Sequence, residues 1–537
     1  MKEREGFVNK TALLLLAVIG LFIFTPVSQA VEIDRSLPPE LKGEEIRLSL
    51  KEAVELAMKR NLTVIFQKYQ VDMSLEKITE EKGIFDPNFK LNLSAGKQEV
   101  PIADVLYPRG YYAENYTSGS AGIEGKILTG AKYGVDLSLE RNESTSQVQT
   151  LSPRYSSRLN LSLTQPLLKD FGVGITKTRI RMAEEGAKAA RYDVKDTLVR
   201  TIGQVEEAYW TIVYAMKNLG VQREGLDLAR EVLKIAEIKV KAGEIAPVSL
   251  IEARAGVAER EGNVIAAEGQ LKKAEYDFKL LLDIPDSTGI IYPEDLPEKS
   301  VFIPSVQESI NMAYDNRADV RALEYRVEQK KLEERFNNNQ RLPRLDIVGE
   351  YGHRGLSGTP SDVLDSNNQP LGNHITGTPF EGKTSWQDSF DEYFKEAGFL
   401  SWTLGLKLEI PIGGRAAGGR YRQASIERGS LEHKMLILKE KISAEVKKEL
   451  LDINTGLKWM DAARAYTALA QEQLNVERRK LDAGETSFYE FLKRQKDFTD
   501  AKVKEIKAMI DYNIAWSKFR VEQGISLNRY GIEFYPE

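Results

Sequence analysis

Leu400-Ser401-Trp402-Thr403-Leu404-Gly405-Leu406-Lys407-Leu408-Glu409-Ile410 places six apolar residues at every second position, with small or polar ones between them. Strict alternation marks a strand with one apolar and one polar face. Such a strand is half-buried in a soluble sandwich, or it lines a barrel with lipid outside and water inside. The period alone fits both. Phe89, Leu91, Leu93 and Ala95 repeat the pattern, as do Tyr133, Val135, Leu137 and Leu139, and then Leu159, Leu161 and Leu163.

Outward from these strands the period changes from 2 to 3.6. No proline occurs between Pro166 and Pro247 or between Pro411 and Pro536. The stretches Ile175–Lys241 and Arg420–Leu481 are rich in Ala, Glu, Lys and Leu. As single helices they would each be about 90–100 Å long. Each meets an Ala-Gly-Glu triplet, at Gly243 or Gly484, and reverses into an antiparallel partner, Val248–Leu282 or Phe488–Glu522. Glycine there signals a helix end with positive φ.

The two halves share this punctuation. Val64, Pro87 and Gly96 return as Val320, Pro343 and Gly352 at a constant offset of 256. Pro166 answers Pro411. Ahead of the strands, Leu50, Ala53, Val54, Ala57 and Met58 recur at helical spacing, as do Val306, Ser309, Ile310, Ala313 and Tyr314. Both helices are expected to bend or break near Asn61 and Arg317 and to continue to about Glu80 and Asn337. A duplication on this scale points to one symmetric object rather than two free-standing domains. The first half carries a further strand pair, Ala121–Leu128 and Lys132–Glu140, around Thr129-Gly130, with no clear counterpart in the second. Gly355–Ala397 reads as a long loop of turn formers with scattered aromatics, including Phe380, Trp386, Phe390, Tyr393 and Phe394. Such a loop is foreign to a compact soluble domain and ordinary at one end of a membrane barrel.

Lys2, Arg4 and Lys10, an apolar run from Leu13 to Phe24, and Ser28-Gln29-Ala30 read as a secretory leader cut after Ala30; the other reading is a retained transmembrane anchor, for which the apolar core is short. No cysteine is present, which excludes a lipid-anchored cysteine, disulfides and thiolate metal sites. The net charge of −5 offers no basic excess for nucleic acid. Beyond the leader no apolar run is long enough for a spanning helix, so any membrane crossing must use strands. Gly413-Gly414-Arg415-Ala416-Ala417-Gly418-Gly419-Arg420 lacks the Lys-Ser/Thr of a phosphate loop and lies where a strand turns into a helix. His353, His374 and His433 are far apart in sequence. Nothing nominates an enzyme, a metal or a cofactor.

The chain resembles the TolC family of outer-membrane factors over almost its whole length. The marks are the entry helix (Leu50, Ala53, Val54, Ala57, Asn61), the strand ends Gln165-Pro166-Leu167-Leu168 and Ile410-Pro411-Ile412-Gly413-Gly414-Arg415, and the hairpin tips. The resemblance implies a mainly α protomer with a membrane β-barrel portion: duplicated long antiparallel helical hairpins forming a tunnel, and 4–6 strands given to one trimeric outer-membrane barrel. Four strands per chain would make twelve and six would make eighteen, and the longer Pro87–Pro166 spacing leans to six. It implies a homotrimeric, passive exit duct of a tripartite efflux pump or type I secretion system. Its expected partners are a periplasmic adaptor (membrane fusion) protein, an inner-membrane transporter and outer-membrane lipid, without nucleic acid. The competing readings are a periplasmic coiled-coil adaptor and a structural envelope protein without a channel.

On this reading the chain divides into a signal peptide (1–30), an N-terminal arm (31–47), a first repeat (48–283), a linker (284–303), a second repeat (304–525) and a tail (526–537). Strands occupy 88–167 and 344–411, and the hairpins occupy 173–283 and 415–525. The resemblance carries pore-constriction roles to Glu490, Lys493, Ser249 and Glu252. It carries adaptor-docking roles to Gly243, Leu250, Ile251, Gly484, Phe491 and Leu492. Glu490 in three copies would favour cations. Equally, it is a solvated carboxylate, or a helix-face partner of Lys493, and the apolar tip residues equally serve to hold the turn together.

Overall fold

Ser49 caps the first helix among the described residues. Its hydroxyl accepts the N–H of Glu52 while Glu52 accepts the N–H of Ser49, a reciprocal cap that fixes where the helix begins. In the computed structural model the described residues are 45–103, 107, 110–146, 149–298, 303–361, 378, 380–395 and 399–534. The leader 1–30, most of the arm and His374 lie outside them.

By contacts the chain divides into two units. The small one is 1–46 with 287–290, whose described residues are extended or in turns. The large one, 47–286 with 291–537, holds everything that follows. Its helices of ten residues or more are α1 (Leu50–Arg60), α2 (Leu62–Lys82), α3 (Thr178–Lys241), α4 (Val248–Leu281), α5 (Val306–Asn316), α6 (Ala318–Asn339), α7 (Trp386–Lys395), α8 (Arg415–Asp482) and α9 (Phe488–Glu522). Six long strands, β1 (Asn88–Pro101), β2 (Tyr111–Lys126), β3 (Lys132–Ser144), β4 (Leu151–Pro166), β5 (Arg344–Pro360) and β6 (Phe399–Glu409), form one antiparallel sheet in that order. The sheet is open, with β1 and β6 as its edges.

The entry helices break at equivalent joints. Asn61 ends α1 and caps α2, its side-chain oxygen accepting the N–H of Thr63 at 3.0 Å and of Val64 at 3.2 Å. Arg317 occupies the same joint between α5 and α6. The apolar face of α1 (Ala53, Val54, Ala57) is fully buried.

The two long helices have 64 and 68 residues, about 95–100 Å of rise. The α3/α4 and α8/α9 hairpins share a core behind their tips, with Ala229, Val232 and Ala236 of α3 and Ala253 of α4 against Leu474 of α8 and Phe488, Phe491 and Leu492 of α9. Nearer the sheet, Ile442, Val446 and Ile453 of α8 pack with Tyr512 and Phe519 of α9 and Val320 of α6. Small residues recur at these contacts because helix axes 8–10 Å apart leave little room.

The region read as one long loop after Gly355 is different. Strand β5 runs on to Pro360, and α7 forms within the segment. Turn formers obscure a capping pair, since Asp388 accepts the N–H and hydroxyl of Ser385 and Ser385 accepts the N–H of Asp388. The glycine run has the conformation a strand-to-helix bend requires: Gly413 and Gly414 have φ of 88° and 49°.

Candidate functional site

Sheet and hairpins present two candidate surfaces. Along every strand of the sheet, side chains alternate between faces, and the register aligns like with like. Leu91 and Leu93 of β1, Val135 and Leu137 of β3, Leu161 of β4, Tyr351 of β5 and Trp402, Leu404 and Leu406 of β6 share one face. That face is bare: Trp402 and Leu404 are each 71 % exposed and Leu406 73 %. A contiguous apolar surface of this size belongs against another apolar phase. From Leu400 to Ile410 it extends about 33 Å along the strand, and a tilt near 40° brings that to the ~25 Å of a barrel's apolar band. Among the described residues no helix is long and apolar enough to cross a membrane.

The opposite face is hydrophilic. Asn92, Ser94, Ser118, Ser120, Ser138 and Arg158 line a hollow of about 690 Å³ across neighbouring strands, with Glu140 and Arg354 at its margin. Hydroxyl ladders stitch it together, as in the 2.6 Å bond between Ser94 and Ser118. The sheet is thus apolar on one face and polar on the other.

At the far end of the helices, Gly243 and Gly484 have φ of 77° and 76°. In each, the residue after the glycine donates back five positions (Glu244 to Lys239, Glu485 to Lys480, both 2.9 Å). This is the Schellman closure, which needs the left-handed glycine.

The structure separates the residues expected there. Phe491 and Leu492 point into the shared core, 3 % and 9 % exposed, while Ile251 is 68 % exposed and Leu250 is half-buried. Glu252 and Lys493 line one groove of about 640 Å³ between α4 and α9, with Gly256, Arg260 and Tyr489. Glu490 is half-buried outside that lining, and Ser249 is half-buried in the first turn of α4. Among the described residues no ion pair joins Glu490 to Lys493. Glu490 is instead the third residue of α9, its N–H donated to the hydroxyl of Ser487 at 3.2 Å. A carboxylate there also suits the helix dipole.

Sequence reading missed the exposed Tyr489 and the buried Arg260. The Ser487-x-x-Glu490 spacing is a capping signal that was available. Arg260 gave no signal, because its burial depends on α9 lying across it. Its guanidinium reaches the carbonyl of Leu492 at 3.5 Å, and burial lowers its pKa from the ordinary value.

Residues 134–282 match the family model of the outer membrane efflux protein. No curated protein sequence matches the chain. Among solved structures, the CmeC outer membrane channel of Campylobacter jejuni is similar with a TM-score of 0.61 at 16 % identity, covering 89 % of this chain and 86 % of that one. CusC gives 0.63 at 13 % identity, covering 92 % and 96 %. The open-state MtrE outer membrane channel of Neisseria gonorrhoeae gives 0.59 at 14 % identity, covering 92 % and 95 %. At such identities the likeness is one of fold, and it extends over both hairpins and the sheet.

Proposed function

We propose that three copies of this chain close their open sheets into one barrel of eighteen strands and that the protein is the outer-membrane exit duct of an efflux pump. The observation that carries this is the open six-stranded sheet, apolar on one face and polar on the other. Unpaired edges cannot remain in hydrocarbon, where each unsatisfied backbone group costs several kcal/mol. β1 and β6 each offer such an edge, and a neighbour's opposite edge satisfies it. The long helices α3 and α8 follow β4 and β6 at one end of the sheet and project into the periplasm as the tunnel wall. Transport is passive, with no catalytic step.

The hairpin tips are the docking surface for a periplasmic adaptor. Ile251 and Tyr489 are its exposed apolar contacts, Leu250 is at its margin, and Gly243 and Gly484 fix the turns. Phe491 and Leu492 hold the two hairpins together behind that surface. Glu490 and Glu252 supply negative charge near the axis, and Lys493, beside Glu252, offsets part of it. An inner-membrane transporter supplies the energy and selects the cargo; a type I secretion transporter would meet the same tips.

Fractionation with bilayer recording tests the function. Heat-modifiable trimers in the outer-membrane fraction that form ion-conducting pores in a planar bilayer are expected. A soluble monomer without conductance would overturn the reading.

A further inference from the structure

Helix α7 does not hang free above the sheet. The hydroxyl of Ser157 donates to the carbonyl of Ser389 at 3.0 Å, and the two hydroxyls are also bonded. The Ser357 hydroxyl donates to the Ser385 carbonyl at 2.7 Å. Trp386 packs on Tyr155 with ring centroids 4.9 Å apart. Gly355 makes the approach possible, since a Cβ there would stand 1.9 Å from the Ser389 carbonyl oxygen.

The contacting strand residues identify the face. Tyr155 and Ser157 continue the series Leu163, Leu161, Leu159 at steps of two on β4, and Gly355 and Ser357 continue Tyr351, His353 on β5. Residues at steps of two share a face. α7 therefore sits on the apolar outer wall, not over the polar hollow.

The register identifies the height. Leu159 pairs with His353, and His353 with Leu400, which is the last apolar row of the band. Ser157 pairs with Gly355 one row beyond it, at the end of the sheet away from the long helices. β4 and β5 are interior strands, so the next copy of the sheet, joined at β6, lies two to three strand spacings away, about 10–15 Å.

We propose that α7 is an interfacial helix lying in the headgroup region of the outer leaflet, and that lipid is its partner. A helix just past the end of the apolar band, on the lipid side, meets headgroups whatever the cargo does inside. Its composition suits that boundary, with Trp386 and Phe390 among Gln387, Asp388 and Asp391. The serine bonds to the strands hold it flat on the wall. It would fix the depth of the barrel in the membrane.

This inference rests on the sheet spanning the outer membrane, and the test separates the two. The chain has no cysteine, so single cysteines at Gln387, Leu404 and Gly484 can each carry a nitroxide. The labelled full-length protein, in nanodiscs of outer-membrane lipid, is read by spin-label collision with oxygen and with a water-soluble nickel chelate. The oxygen-to-chelate collision ratio is expected to be highest at Leu404, intermediate at Gln387 and lowest at Gly484. A Gln387 label as chelate-accessible as Gly484, or shielded from both reagents by protein, overturns the inference while Leu404 still reports lipid. A Leu404 label in water overturns the membrane reading itself.

Discussion

Asn61 and Arg317 stand 256 positions apart and break the same helix in the two halves of the chain, by different chemistry. Asn61 caps α2 with its oxygen and donates its amide to the Leu281 carbonyl at 2.9 Å, tying the joint to the end of α4. Arg317 is buried among Asp319 at 2.7 Å, Glu445 at 2.9 Å and Glu522. Burial opposes its charge, yet these carboxylates outweigh it and hold the guanidinium above its ordinary pKa.

Replacing these two residues should therefore have unequal effects. Asn61→Ala loses a cap worth about 0.5–2 kcal/mol. Arg317→Met leaves three half-buried carboxylates without their buried cation, and breaking a buried pair costs up to about 3–5 kcal/mol. Denaturant unfolding of the two variants, each against the parent protein, should give the larger loss for Arg317→Met. Equal losses would show that the ion cluster at the second joint is solvated.

The tips make a second prediction. At φ near +77°, an L side chain costs about 1–2 kcal/mol relative to glycine. Gly243→Ala and Gly484→Ala should each loosen one tip without disturbing the sheet. Hydrogen exchange should rise in residues 239–250 or 480–491 alone; an unchanged pattern would mean the turns tolerate alanine.

Glu449 is buried in α8, and burial, with Asp452 nearby, raises its carboxyl pKa above the ordinary 4.5. Lys448 and Lys518 act in the opposite direction without cancelling this. A raised folded-state pKa contributes stability that is present below the unfolded value and lost as pH rises through the folded one. Glu449→Gln should accordingly raise Tm at pH 7, with the difference closing below pH 4.5. A lower Tm at pH 7 would reveal a partner for the carboxylate in the assembled protein.

Glu490→Gln keeps the Ser487 bond to the backbone N–H of residue 490, so α9 should still begin in place. It removes the charge alone. Reversal potentials in a planar bilayer under a salt gradient should show reduced cation preference. Unchanged preference would make Glu490 a helix-end residue and nothing more.

Local rules carried much of this architecture into the sequence. Alternation at Leu400–Ile410 and the absence of proline after Pro411 are each set by a single element's period, and strand and helix follow directly. The positive φ at Gly243 and Gly484 was legible for the same reason. α7 was not, because a ten-residue helix among turn formers is held by Ser157 and Ser357, which lie far away in sequence. At the tips, the sequence marks Ile251, Phe491 and Leu492 alike as apolar. Only the packing of one hairpin on the other turns Phe491 and Leu492 inward and leaves Ile251 outside.

In the proposed duct, threefold assembly turns an open six-stranded sheet into a closed barrel. Cryo-electron microscopy of the nanodisc-embedded protein, viewed down the helix axis, tests it most directly. A threefold particle with one barrel of eighteen strands is expected, β1 of each copy paired to β6 of the next. A particle of other symmetry, or a sheet closed within a single chain, would contradict it.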